Sequence, residues 1–294
     1  MDRYNLARSR FSTGDMRGLE GDLRELTPQL EKHFGARHDR SIVTVGLWAQ
    51  TLARVGRFDE AVTLQRGNLE RVMARTPVDD ELVALSQLQM ALVLKFAGRY
   101  AAALAPARLG LASFDSLYTE PTNYRERART IVGEILVGLG RRSEGEALLR
   151  AAAANVARLG DASSAFGAEA QLVLAISTRN AVLATQACPA IAAGTGAQSA
   201  NSLRCWTIAA WLDALAVSAP ERAAAVSKFL ALRDRLVPVL AEGQPLREEL
   251  LEMEAEAIEP VDSSRAAQLR DAYRAGFERL FRRPPGPADL HVLH

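Results

Sequence analysis

The histidines are the first candidates for chemistry, because an imidazole can bind a metal ion or transfer a proton near neutral pH. The sequence holds four of them, namely His33, His38, His291 and His294. No cysteine or carboxylate stands beside them at the spacing of a metal-ligand set. The sequence therefore favours solvated histidines in a turn and in the C-terminal tail, and it predicts no metal site and no cofactor.

A run of carboxylates is the second candidate, because clustered acids can exchange protons or bind a cation. Its members alternate with apolar residues along one segment, where Glu248, Glu249, Glu252, Glu254, Glu256 and Glu259 surround Leu250, Leu251, Met253 and Ile258. This spacing distributes the carboxylates around a helix. We therefore expect the solvated face of an amphipathic helix.

Motifs for nucleophilic or phosphate chemistry are absent from the sequence. It contains no Gly-x-Ser-x-Gly elbow, no His-Glu-x-x-His pair and no phosphate loop ending in Gly-Lys. The segment Gly194-Thr195-Gly196 comes nearest to a phosphate loop, but it follows a predicted helix and lacks a third glycine. A flexible loop between helices is favoured, and no enzymatic activity is predicted.

Two cysteines and two tryptophans complete the candidates. Cys188 and Cys205 are too few for a disulfide framework and too far apart for a paired metal motif. We expect small buried residues there, with a single disulfide as the alternative for an exported protein. Trp206 and Trp211 are expected to pack in the core, in preference to forming an aromatic ligand cage.

Composition narrows the class of protein. The 294 residues are 48% hydrophobic and 24% charged, with a formal net charge of +1. This balance argues against direct binding to nucleic acid or to an anionic membrane. The N-terminus lacks the apolar region of a secretory signal, and no apolar stretch approaches the length of a membrane span. A cytoplasmic protein is predicted, or a periplasmic one if the chain is a fragment of a membrane-anchored regulator.

A repeat determines the elements that must position these residues. Four glycines, Gly14, Gly56, Gly98 and Gly140, follow one another at intervals of 42 residues. Around them recur a large and a small apolar residue before the glycine, and an aromatic and a small residue after it. The most regular copies read Trp48, Ala49, Gly56, Phe58, Ala61 and Met90, Ala91, Gly98, Tyr100, Ala103. A period between 20 and 50 residues is typical of stacked supersecondary units.

Each unit is predicted to contain a helix A and a helix B joined at the glycine, which accepts a positive φ at little cost. In the second unit helix A covers about residues 41–55 and helix B about 58–74. The period is lost after residue 160, but helical hairpins continue. The predicted domains are a regular array at 1–160, three drifted hairpins at 161–283 and a proline-rich tail at 284–294. The fold class is all-α, with about seven antiparallel hairpins.

The repeat resembles the tetratricopeptide family, in the longer 42-residue variant found in kinesin light chain and in many bacterial regulatory proteins. Trp48, Ala49, Gly56, Phe58 and Ala61 stand at the family's signature spacings. The resemblance implies a right-handed α-solenoid whose A helices line a concave groove for a peptide or a partner helix. It implies no catalysis.

The same resemblance implies which residues face the groove. In the family these lie ten, six and three positions before the glycine, which selects Tyr4, Arg8, Phe11, Gly46, Gln50, Ala53, Leu88, Leu92, Lys95, Thr130, Glu134 and Val137. Their mixed character favours a partly apolar ligand over an acidic chain end. Gln50 and Lys95 are expected to project into solvent.

The predicted function is therefore protein–protein interaction, as a scaffold or a regulatory part of a signalling system. A small-molecule sensor, or an accessory subunit of an enzyme, is the alternative, with its ligand near Arg8, Gln50, Lys95 and Glu134. Helix A of the first unit is shorter than its sisters and no polar capping repeat precedes it. We expect a docking part of a larger protein, or a short protein whose first face docks on something, and self-association through the solenoid ends is a further possibility.

Overall fold

The computed structural model describes residues 3–159 and 164–285. The described residues form α-helices, one 3₁₀ turn and connecting loops, and no strand occurs among them. The chain divides into two compact units, Met1–Leu148 and Leu149–His294. The predicted all-α fold of successive helical hairpins is confirmed. None of the helices in the described ranges is long and apolar enough to cross a membrane.

The first unit contains three complete glycine-centred hairpins, helix A of a fourth and the first residues of its helix B. The A helices are α1 (Arg3–Thr13), α3 (Asp39–Arg54), α5 (Asp80–Phe96) and α7 (Asn123–Gly138), and the B helices are α2 (Leu19–Phe34), α4 (Phe58–Met73), α6 (Tyr100–Leu117) and α8 (Arg142–Leu159). Each of these A helices packs against its own B helix, and α1, α3 and α5 also pack against the A helix that follows. The A helices thereby form a continuous row.

All four repeat glycines adopt the left-handed backbone conformation. Their φ angles are 82°, 81°, 68° and 76° at Gly14, Gly56, Gly98 and Gly140. At each turn the glycine N–H donates to the carbonyl three residues earlier, and the next N–H donates to the carbonyl five residues before it. One local hydrogen-bond pattern thus ends every A helix, and a residue with a Cβ would be strained there.

Small residues let the two helices of a hairpin approach each other. Ala49, Ala61, Ala91 and Ala103 are completely buried. In the fourth copy a Cβ added to Gly145 would lie 2.6 Å from the backbone oxygen of Gly133. The replacement of alanine by glycine in that copy therefore accommodates an even closer crossing.

Side-chain caps fix where three of the A helices begin. His38 Nδ1 accepts a hydrogen bond from the Arg40 N–H, Asp79 accepts from Leu82, and Thr122 accepts from Arg125. These bonds satisfy amide groups that have no partner within the helix. His38 consequently has a structural task at the start of α3.

The second unit continues with three hairpins. They are built from α9 (Ser164–Thr178), α10 (Ala181–Thr195), α11 (Ala200–Ala216), α12 (Ala219–Leu236), α13 (Leu246–Ile258) and α14 (Ser263–Phe281), with the 3₁₀ turn Val237–Val239 after α12. Trp211 is buried and Trp206 packs against the same core, as the sequence predicts. The glycine segment ends α10, and Gly196 has a φ of 92°.

The structure corrects the expectation for the cysteines. Cys188 on α10 and Cys205 on α11 are completely buried and form a disulfide, with their Cα atoms 5.5 Å apart. The two residues are distant in the sequence, but the hairpin connection brings α10 and α11 side by side. The favoured prediction of unpaired buried thiols is wrong, and the disulfide alternative holds.

The acidic segment is also corrected, because it is not a freely solvated face. It lies on α13, where Glu254 is only 2% exposed and pairs with Arg233 of α12 and Arg265 of α14. Glu252 and Glu259 both bind Arg270. These carboxylates join neighbouring helices through ion pairs with arginine. The spacing of residues along one helix does not reveal such pairs.

Candidate partner-binding face

The predicted groove residues lie along the row of A helices in the first unit, but most of them are covered. Arg8 is exposed, while Tyr4, Phe11, Glu134 and Val137 are partly buried. The remaining positions, Gly46, Gln50, Ala53, Leu88, Leu92, Lys95 and Thr130, are buried. Packing within the hairpins and between consecutive A helices removes these side chains from solvent.

The expectation that Gln50 and Lys95 project into solvent is wrong. Both residues are 5% exposed. The Gln50 amide donates to the Gly46 carbonyl one turn earlier, at 3.3 Å. The Lys95 ammonium lies 2.6 Å from Glu134 Oε2 on the next A helix. Both polar groups therefore have partners within the protein and are poor candidates for contacts with a ligand.

Leu88 occupies the interior of its own hairpin. A Cβ added to Gly110 of α6 would lie 2.8 Å from the Leu88 side chain. Leu88 thus packs against helix B of its own hairpin. The resemblance to the tetratricopeptide family had placed this side chain in the groove. One turn before the buried Gly46 and Leu88, the A helices carry Val43 and Leu85. These two side chains are half-buried, so part of their surface is available to a partner.

A chain of cations and aromatic rings crosses the whole row of A helices. The Arg54 guanidinium lies 4.6 Å from the Phe11 ring of α1 and 5.4 Å from the Phe96 ring of α5. Lys95 lies 4.9 Å from the same Phe96 ring and extends the chain to Glu134 of α7. Cation–π contacts and one ion pair therefore connect α1, α3, α5 and α7.

The N-terminal end of the row carries a second cluster, which we call the cationic patch and define as Tyr4, Arg8, Phe34, His38 and Arg40. Arg8 and Arg40 lie 5.6 and 5.9 Å from the centroid of the Tyr4 ring. Arg40 also lies 5.4 Å from the Phe34 ring, which stacks on His38 at 4.8 Å. Residues from α1, α2 and α3 meet in this patch.

Apolar side chains are exposed where B helices connect to the next A helix. Met73 and Val78 flank one such connection, and Leu117 and Tyr124 flank another. Beside the second, the Tyr118 hydroxyl donates to Glu81 at 2.8 Å, and this hydrogen bond raises the pKa of Tyr118 above its ordinary value. This edge is a further accessible surface of the first unit.

Sequence reasoning missed several residues that organise this face. Arg54 and Phe96 both stand two positions before a repeat glycine, so their shared position in the period was a usable signal. Phe34 ends α2, His38 precedes α3 and Arg40 lies in its first turn, so all three stand around a connection and outside the three selected positions. No period could identify them, because a B-to-A connection has no fixed register.

The candidates for metal binding do not assemble into a site within the described residues. In the part of the chain that the structure describes, no group of three or more His, Cys, Asp or Glu side chains is arranged to hold a metal ion. His33 and His38 lie at the connection between α2 and α3. His291 and His294 lie outside the described residues.

Comparison with known proteins adds one structural likeness. No family model matches the chain, and no match is found among curated proteins. Among solved structures, the chain is similar to BtubC (BKLC) from P. vanneervenii, with 16% sequence identity and a TM-score of 0.39, over 91% of this chain and 92% of that one. A TM-score of this size carries no argument about family or function.

Proposed function

We propose that this chain is a protein-interaction scaffold whose first unit binds a partner protein or peptide on the side of the A helices. The observation that carries the proposal is the continuous row of A helices, cross-connected from α1 to α7 by Phe11, Arg54, Phe96, Lys95 and Glu134. A rigid row of helices presents side chains at fixed spacings, as extended partners require. We further propose that this scaffold is a regulatory part of a signalling system.

The small-molecule alternative is less well supported by the same geometry. It placed a ligand near Arg8, Gln50, Lys95 and Glu134, of which only Arg8 is exposed. Lys95 and Glu134 bind each other at 2.6 Å, and the Gln50 amide donates to a carbonyl of its own helix. A ligand would have to break these interactions before it gained its own.

Site-specific photocrosslinking tests the proposal. We expect a crosslinking amino acid at Val43 or Leu85, on the A-helix stripe, to capture a discrete partner from a lysate. Matched positions on B helices are Arg66 and Leu109, which are both exposed. Products only from the B-helix positions, or from none of the four, would contradict the proposed face. A metabolite that raises the melting temperature in the absence of any crosslink would favour the small-molecule alternative.

The disulfide bears on the compartment in which this function operates. Disulfides persist in oxidising compartments and are rare in the cytosol. The Cys188–Cys205 bond therefore supports the periplasmic alternative over the cytoplasmic one. Acid quenching of cells, followed by alkylation under denaturing and non-reducing conditions, tests this, since cytoplasmic protein would be recovered with both cysteines alkylated.

A further inference from the structure

The cationic patch holds two guanidinium groups that no carboxylate of the described residues neutralises. Arg8 and Arg40 are exposed, and neither has a carboxylate partner among the described residues. Most arginines elsewhere in the first unit are paired with acids, as Arg3 is with Glu25. The patch therefore departs from the charge balance of its surroundings.

Carboxylates close to the patch in the sequence are occupied by other arginines. Glu31 at the end of α2 binds Arg71, and Asp39 at the start of α3 binds Arg75. Both arginines come from α4 and its C-terminal end. Lys32 and Arg37, which are exposed in the same segment, add two further positive charges. The surface around the patch is consequently positive although the whole chain is nearly neutral.

The two aromatic rings of the patch contact its own cations. The Tyr4 ring has Arg8 and Arg40 within 6 Å, and the Phe34 ring has Arg40 and the His38 imidazole. A guanidinium held by a ring keeps N–H donors that match the two oxygens of a carboxylate.

We propose that the cationic patch binds an acidic segment of a partner protein, with Arg8 and Arg40 each contacting a carboxylate. The positive charge of the patch selects an anionic partner, and the near-neutral charge of the whole chain favours a peptide over a nucleic acid. Binding of an acidic segment rests on the proposed scaffold function and names the chemistry of its partner, because Arg8 and Tyr4 belong to the A-helix row.

Fluorescence anisotropy with a labelled octaglutamate peptide tests the inference. We expect salt-sensitive binding by the wild-type chain, and at least about tenfold weaker binding by R8A/R40A, because each substitution removes charge-assisted hydrogen bonds. The matched control is R66A/R142A, which removes two exposed arginines on α4 and α8 and should bind as the wild type does. Circular dichroism melting confirms that both variants are folded.

Three results would overturn the inference. The first is an equal loss in R8A/R40A and R66A/R142A, which would indicate attraction by net charge alone. The second is an absence of octaglutamate binding. The third is tighter binding of a labelled oligothymidylate with the same dependence on Arg8 and Arg40, which would assign the patch to nucleic acid. If octaglutamate fails while crosslinks from Val43 and Leu85 persist, only this inference is lost and the scaffold function stands.

Discussion

Lys95 and Glu134 form a 2.6 Å ion pair between consecutive A helices, with their side chains only 7% and 12% exposed. The two residues occupy different positions in the repeat, three and six before their glycines. Their meeting therefore reflects how α5 and α7 pack, and it adds a specific polar contact to a largely apolar interface. At this pair, the A-helix side of the first unit exposes little of either side chain to a partner.

Breaking this pair from one side should be costly. We expect Lys95→Met to reduce the free energy of unfolding by about 3 kcal/mol, because Glu134 would be left as a largely buried charge without its partner. The double variant K95M/E134L should recover much of that loss. Urea denaturation of the single and double variants measures the coupling, and fully additive effects would show that the two residues act independently.

Substitution of a repeat glycine should destabilise the protein, because a residue with a Cβ is strained at a positive φ. Gly140 has a φ of 76°, yet a Cβ there would meet no atom within 4 Å. We expect Gly140→Ala to destabilise the protein by about 1 kcal/mol through backbone strain alone. Gly67 inside α4 also has open space around it but ordinary helical φ, so Gly67→Ala should stabilise by up to about 1 kcal/mol. Thermal denaturation should show opposite signs for the two variants.

The disulfide should stabilise the second unit. The two cysteines are 17 positions apart, and closing a loop of that size contributes about 3 kcal/mol in the chain-entropy account. We expect C188A/C205A to melt at a lower temperature than the oxidised wild type. A reductant should lower the melting temperature of the wild type and leave that of the double variant unchanged. Mass spectrometry after alkylation under denaturing, non-reducing conditions should find no free thiol.

The pH dependence of stability should carry opposite contributions from two glutamates. Burial raises the pKa of Glu252, whereas the hydrogen bond from Arg270 lowers the pKa of Glu259. A raised pKa means that the folded state holds the proton more strongly, so this contribution to stability falls as pH rises through the folded pKa. A lowered pKa has the reverse sign, and its contribution is lost as pH falls.

Glutamine variants isolate the two contributions. Relative to the wild type, Glu252→Gln should become more favourable as the pH rises from the ordinary glutamate range to neutrality. Glu259→Gln should become less favourable over the same interval. Urea denaturation at several pH values measures both differences, and parallel curves for the two variants would contradict the assigned directions.

The sequence alone determined the helical hairpins and their turns. Glycine spacing located the A-to-B connections, and the predicted second hairpin at 41–55 and 58–74 lies within two residues of α3 and α4 at each end. Helical hairpins also continue through the second half, as predicted, because helix periodicity, proline and loop residues act over short stretches of chain. Residues such as Gly56 and Phe58 carry this information locally.

Only the tertiary structure decided which side chains meet. Lys95 was assigned to solvent and proved to pair with Glu134, while Cys188 found Cys205 and Glu254 found Arg233. Each of these contacts joins different helices, so it depends on the distance and rotation at which the helices pack. A periodic pattern specifies the face of one helix, but it does not specify the position of that face relative to its neighbours.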